Sequence, residues 1–170
     1  MGSITAEQEA IEALVREHYA PVYRFCARRI GPTLAQDAAQ ETFLTAQRSL
    51  ARFDGRSSVA AWLFGIAHNH CRNIARKGRH EAPTEADWLC ESAVDESMEK
   101  TLIDRQALRQ ALGKLSQEHR EVVLLHEVEG LTYAEAASVL GVPEGTVKSR
   151  LHHAFLNLRT SLLGGEEVPA

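Results

Sequence analysis

Cysteine, proline and aromatic side chains are scarce in this sequence. Its 170 residues hold 3 Cys, 5 Pro and 6% Phe, Trp and Tyr. Cys26, Cys71 and Cys90 follow neither disulfide nor metal-ligand spacing, which argues against a stapled secreted scaffold. No alternating apolar run marks a strand, and no internal repeat is present. No signal peptide or membrane-spanning stretch is visible, so the expected setting is cytoplasmic, with reduced thiols and no membrane contact of its own. No His-Glu-x-x-His, phosphate-binding glycine loop or nucleophile elbow occurs. The sequence therefore assigns no catalytic residue, no metal and no cofactor. What it has in quantity is Ala, Leu, Glu and Arg in helical periodicity, which points to an all-α fold.

The net charge of −4 is unevenly placed. Residues 1–80 hold 11 Lys and Arg against 7 Asp and Glu, a net +4; residues 81–104 hold 1 against 8, a net −7. Residues 105–170 hold 7 against 8, a net −1. The acidity belongs to the middle, so the overall charge says little about partners.

The most informative stretch runs from Leu131 to Leu158. Thr132 followed by Glu135 is a capping box that starts a helix at Tyr133. Ala136, Ala137 and Leu140 give this helix a thin apolar face. Gly141 suits its left-handed end, and Pro143 suits the start of the next. In that second helix Val147, Leu151, Ala154, Leu158 and Leu162 make one buried stripe. The opposite face carries Lys148, Ser149, Arg150, His152 and His153. This is the pattern of a helix-turn-helix, whose second helix enters the major groove. Lys and Arg there meet guanine edges or phosphates, and Ser and His can bond base edges.

The remaining chain reads as two helical bodies and a tether. Thr5 with Gln8 caps a helix whose stripe is Ile11, Leu14, Val15, Val22, Phe25 and Cys26, ending at Ile30. Gly31-Pro32 breaks it. A second helix spans about Thr33 to Phe53, with Leu34, Ala38, Leu44 and Leu50 among its inward positions. Asp37, Gln40, Glu41 and Leu44 fall on one face of it. Such a face is commonly just solvated, and it also suits docking. Phe53 to Ser58 is a turn cluster in which Ser57 or Ser58 caps a third helix, Val59 to about Lys77. Val59, Trp62, Leu63, Ile66, Ala67 and Ile74 are its core candidates. Arg72, Arg76, Lys77 and Arg79 gather at its end, where they suit the dipole or a nucleic-acid strand.

Residues 79–100 read as a flexible acidic linker, with a helical turn around Trp88. Fully extended, its 22 residues reach ~70 Å, about two turns of B-DNA. The domains are thus 1–78 and 101–163, with 164–170 as a tail. In the second domain Leu102, Ala107 or Leu108, Leu112 and Leu115 form a stripe. A helix then starts at Ser116, holds Val122 to Leu125, and ends at Gly130.

Taken together, Asp37-Ala-Ala-Gln-Glu-Thr-Phe-Leu44, Phe53-Asp-Gly-Arg-Ser57, Ala61-Trp-Leu-Phe-Gly-Ile-Ala-His-Asn69, Leu131-Thr-Tyr-Ala-Glu and Gly145-Thr-Val-Lys-Ser-Arg-Leu151 resemble an extracytoplasmic-function sigma factor of bacterial RNA polymerase. The match covers both domains in order. The resemblance implies a non-enzymatic subunit that binds core polymerase, at the beta-prime clamp helices and the beta flap, and promoter DNA. It implies an anti-sigma factor as inhibitor. Asp37, Gln40, Glu41, Phe43 and Leu44 match the surface that binds the clamp helices. Phe53, Asp54, Gly55, Arg56 and Ser57 match the loop that holds a flipped minus-ten base. Trp62, Asn69, Arg72, Arg76 and Lys77 match the strand-separating region. Thr146, Lys148, Ser149, Arg150, His152 and His153 fall where the minus-thirty-five element is met, with Arg150 on phosphate.

Flipping a base costs a few kcal/mol, and stacking on an aromatic ring returns about 1–3 kcal/mol. Primary sigma factors carry two adjacent tryptophans where this chain has Trp62-Leu63, so the resemblance implies weaker melting and stricter dependence on a good promoter. His153 stands where relatives usually have Arg, and His152 where an apolar or aromatic residue is common.

Two other readings compete. A stand-alone repressor would need a dimer seam and a ligand pocket, and neither is evident. A metal site on His68, His70 and Cys71 fails on geometry, since residues two apart point ~200° away from each other on a helix. His119 and His126, seven apart, share a face but lack a third ligand.

Overall fold

The computed structural model describes residues 5–78 and 101–164, the backbone alone at 101–104. The expected acidic linker, its turn at Trp88, Cys90, and residues 165–170 of the tail lie outside the described residues, as does the side chain of Leu102. Every regular element among the described residues is helical. They fall into two compact units.

The first unit is three mutually packed helices, α1 (Ala6–Ile30), α2 (Pro32–Ser49) and α3 (Val59–Arg76). α1 opens on the Thr5–Gln8 capping box: the Gln8 amide donates to Thr5 Oγ1 (3.3 Å), and the Thr5 amide to Gln8 Oε1 (2.8 Å). It continues through Pro21 and stops at Gly31, where φ is 84°. Pro32 then begins α2 at its first helical position, where the missing N–H costs nothing. α2 is shorter than the sequence suggests. It ends at Ser49, and a 3-10 turn, Leu50–Arg52, delivers the chain to Phe53. Ser58, rather than Ser57, caps α3 by accepting from the Ala61 amide (3.1 Å).

The core of this unit is built on Phe25, Ile30, Phe43, Leu63 and Phe64 around small side chains, Ala35, Ala38, Ala39, Ala46 and Ala67. Phe25 and Phe64 pack with ring centres 5.2 Å apart. Each such side chain contributes roughly 1.5–3 kcal/mol by leaving water. The alanines let α2 approach closely. Thr42 is fully buried and donates its hydroxyl to Ala38 O (2.7 Å), so no polar group is stranded there. Val59, Trp62, Ile66 and Ile74, expected in the core, are only half-buried. Phe64, His68 and Cys71 occupy inner positions instead.

The second unit holds α4 (Thr101–Lys114), α5 (Gln117–Val123), a π turn (Leu124–Val128), α6 (Tyr133–Leu140) and α7 (Glu144–Leu163). α7 packs against α4, α5 and α6. The helix-turn-helix forms as its sequence dictates. Thr132 and Glu135 make a reciprocal capping box. Gly141 adopts φ 67°, ψ 34°, the left-handed C-terminal conformation. Pro143 sits at the N-cap of α7. Ala136, Ala137 and Val139 of α6 face Val147, Leu151, Ala154 and Leu158 within one core. Leu140 is half-buried. Leu162, expected inward, is 46% exposed; of the alternatives Ala107 and Leu108, Ala107 is half-buried and Leu108 is 38% exposed. Ala111 and Leu112 of α4 are buried, as is Leu115 just past its end.

Candidate functional site

On α2 the spacing of Asp37, Gln40, Glu41 and Leu44 gives one exposed face, with an apolar end where Leu44 is 43% exposed. Leu44 is thus an outward residue, against its place on the expected inner stripe. Phe43 departs from the surface to which the sequence assigns it. It is 7% exposed and stacks on Tyr19, ring centres 6.0 Å apart. One residue is 100° of helix, enough to turn Phe43 in beside Ala39 and Ala46 while Leu44 turns out. Phe43 supports this face from below.

The loop after α2 is held by its own side chains. Asp54 accepts from the Arg56 amide (3.0 Å) and pairs with Arg56 Nε (3.2 Å). Gly55 has φ 72°. Asp54 and Arg56 are exposed, and an exposed pair of this kind separates at little cost. Phe53 packs on Trp62, centroids 4.8 Å apart at 31°. Both rings are half-buried, so each keeps an accessible part. Ser57 is half-buried as well. Trp62, Asn69, Arg72 and Arg76 lie within a single arc of α3, Lys77 follows as its C-cap, and all but Trp62 are exposed. Arg76 donates to Asn73 Oδ1 (3.3 Å). The arrangement is a cationic helix end leading to an aromatic pair and an acid–base loop, all in one unit.

The outer face of α7 splits in two. Lys148, Ser149 and His152 are exposed. Thr146, Arg150 and His153 are half-buried, and the last two turn toward α5. Arg150 lies 3.4 Å from Glu118, and the His153 ring stacks on His119 with centres 6.3 Å apart. His119 is pushed below its ordinary pKa by burial, then by His153 and Arg150. The sequence puts all five polar residues on one open face; packing against α5 half-buries two of them. Glu118, His119 and Tyr19 carry no local signal for these contacts, since their partners are more than twenty residues away. Glu144 was findable: it stands four residues before Lys148, the spacing of a helical ion pair. His68 is buried and His70 meets Thr45 Oγ1 (3.0 Å). Among the described residues no group of three or more His, Cys, Asp or Glu could hold a metal. Among them, too, no helix is long and apolar enough to cross a membrane.

Residues 14–81 match Sigma-70 region 2, and residues 105–158 match Sigma-70, region 4. The sequence is 36% identical to ECF RNA polymerase sigma factor SigL of Mycobacterium tuberculosis, over 95% of this chain and 93% of that one. It is 32% identical to RNA polymerase sigma factor YlaC of Bacillus subtilis, over 94% and 96%. The chain belongs to the ECF sigma factors of RNA polymerase. The first unit therefore carries this sigma factor's region 2 match, and α4 to α7 its region 4 match. The fold is similar to that of the sigma factor RpoE, solved with the anti-sigma factor NepR from Bartonella quintana: TM-score 0.67, 25% identity, 91% of this chain and 98% of that one. It is also similar to CnrH, solved with the cytosolic domain of CnrY: TM-score 0.62, 27% identity, 94% and 91%. As an ECF sigma factor, the protein serves promoter-directed initiation of transcription by RNA polymerase.

Proposed function

We propose that this sigma factor divides its task between the two units, without catalysing a reaction itself. Asp37, Gln40, Glu41 and Leu44 on α2 grip the clamp helices of the polymerase beta-prime subunit, with Phe43 as their support. The Phe53–Ser57 loop takes a base flipped from the minus-ten element. Asn69, Arg72, Arg76 and Lys77 line the separated strand, and Trp62 offers a partial stacking surface. Lys148, Ser149 and His152 enter the major groove of the minus-thirty-five element, Thr146 borders it, and Arg150 meets phosphate. His153 packs on His119 and sets the angle of α7. The beta flap is assigned to the second unit. RpoE was solved with the anti-sigma factor NepR, which supports an anti-sigma factor as the inhibitor here. The site of action is the bacterial cytoplasm.

The observation that carries this reading is the joint presence of a half-buried aromatic pair, Phe53 on Trp62, and an exposed cationic helix end on one body. Base stacking of about 1–3 kcal/mol on such a platform offsets the cost of extrusion. Run-off transcription with core polymerase tests it. Wild type should initiate from a matched promoter, and Asn69→Asp should slow opening without weakening core binding. Glu41→Lys should weaken core binding by about tenfold, a change of ~1.4 kcal/mol. If wild type fails to bind core, or both variants behave as wild type, the division of labour is wrong.

A further inference from the structure

Lys148 has two partners before any DNA arrives. Glu144 opens α7 one turn earlier, and its Oε1 lies 2.8 Å from Lys148 Nζ. On its other side the ammonium sits 5.4 Å from the centre of the Tyr133 ring, a cation–π distance. Tyr133 is the first residue of α6, and its ring stacks on His126 with centroids 4.4 Å apart. His126 Nδ1 is 2.6 Å from Leu131 O. A carbonyl only accepts, so Nδ1 carries the proton and the imidazole is fixed. A carboxylate from its own helix and a braced ring from the preceding one thus aim the lysine.

A carboxylate in a first helical turn is commonly explained by the dipole. Here it stands at the N-terminal end of the helix assigned to the major groove, where base edges are met. A carboxylate is repelled by phosphates. In the groove it is welcomed by an exocyclic amine, above all cytosine N4, while lysine suits guanine O6 and N7. Donor and acceptor side by side match the edge of a G·C pair, which offers acceptors on one base and a donor on the other. Lysine alone would settle on any phosphate nearby.

We propose that Glu144 is a specificity-determining residue for the minus-thirty-five element. It accepts from a cytosine amine while Lys148 takes the guanine edge, and it keeps Lys148 off phosphate. Tyr133, backed by His126, is a positioning residue for this pair. The inference rests on the placement of α7 in the major groove given above.

The test is transcription by holoenzyme, assembled from core polymerase and the full chain, on a library randomised across the minus-thirty-five element. Wild type should prefer G·C at one position. Glu144→Ala should lower that preference about tenfold, within the range of one base contact. Glu144→Gln should move it toward adenine, the base an amide reads at N6 and N7. On non-cognate DNA, Glu144→Ala should steepen the fall of log K with log salt by about 0.9, one added phosphate contact. Tyr133→Phe should retain the preference and Tyr133→Ala should weaken it. If Lys148→Ala alters base preference but neither Glu144 variant does, this inference fails and the placement of α7 survives. If Lys148→Ala also changes nothing, the placement itself fails.

Discussion

The two units solve the same problem, burying a helical core, with different materials. The first uses helices of 25, 18 and 18 residues and buries Phe25, Phe43 and Phe64. The second uses helices of 14, 7 and 8 residues around one of 20, and its buried apolar side chains are aliphatic. Its described aromatics, Tyr133 and Phe155, are exposed. Large rings hold long helices by tertiary contact. Short helices have less surface to bury, so caps and turns matter more to them. The unit assigned to strand opening is thus stabilised by its aromatic core, while the unit assigned to duplex reading is specified by its local sequence.

That contrast is sharpest at Phe64, which is 2% exposed and packs on Phe25. Phe64→Ala should destabilise the first unit by about 3–5 kcal/mol, through lost burial and the cavity left behind. Hydrogen exchange of the α1 to α3 amides is the measurement. A loss below ~1 kcal/mol would mean that the aromatic cluster is not what holds this unit.

Each unit also buries one neutral histidine, and the two differ in surroundings. His68 is pushed down to about 4 by burial, then by Arg29 of α1 and Arg72 of α3. Its Nδ1 is buried without a hydrogen-bond partner among the described residues. Below pH 6.5 the unfolded chain takes up a proton that folded His68 refuses. Stability is therefore full above pH 6.5 and declines as pH falls toward 4, by on the order of 3 kcal/mol. Urea unfolding of His68→Gln against wild type between these pH values checks it. The variant should flatten the decline, and parallel curves would exclude His68 as the cause. His119 is lowered in the same direction, so the second unit should lose stability toward acid as well.

The same contrast explains what was legible in the sequence. The helix-turn-helix could be read almost residue by residue, because its signals are local: a capping box starts α6, Gly141 tolerates the left-handed helix end that other residues avoid, and Pro143 fixes its own φ. The helical class of both units followed from periodicity. What could not be read was which of two adjacent residues faces inward. Phe43 and Leu44 are both apolar, and only the position of Tyr19 on α1 decides between them. Arg150 and His153 read as fully open positions, and only Glu118 and His119, some thirty residues earlier, show that each packs partly against α5. Leu162 continues a perfect stripe, but the core ends before it does. The end of α2 at Ser49 reflects the turn into the Phe53 loop, which propensity alone does not set.

The smallest predicted effect separates the units most cleanly, because one motif occurs in both. Thr5 with Gln8 caps α1, and Thr132 with Glu135 caps α6, through the same pair of hydrogen bonds. Losing a threonine cap costs about 1 kcal/mol where the first turn must stay formed. α6 has 8 residues, so its first turn is nearly half of it, and Tyr133 in that turn flanks Lys148. α1 has 25, its residues 5–10 are exposed, and it can fray there without disturbing Phe25 or Ile30. Thr132→Ala should therefore cost about 1 kcal/mol, and Thr5→Ala only a few tenths. Chemical denaturation of the two variants, with exchange rates for the α1 and α6 amides, compares them directly. Equal losses would show that helix length and tertiary support do not decide how much a cap is worth in this protein.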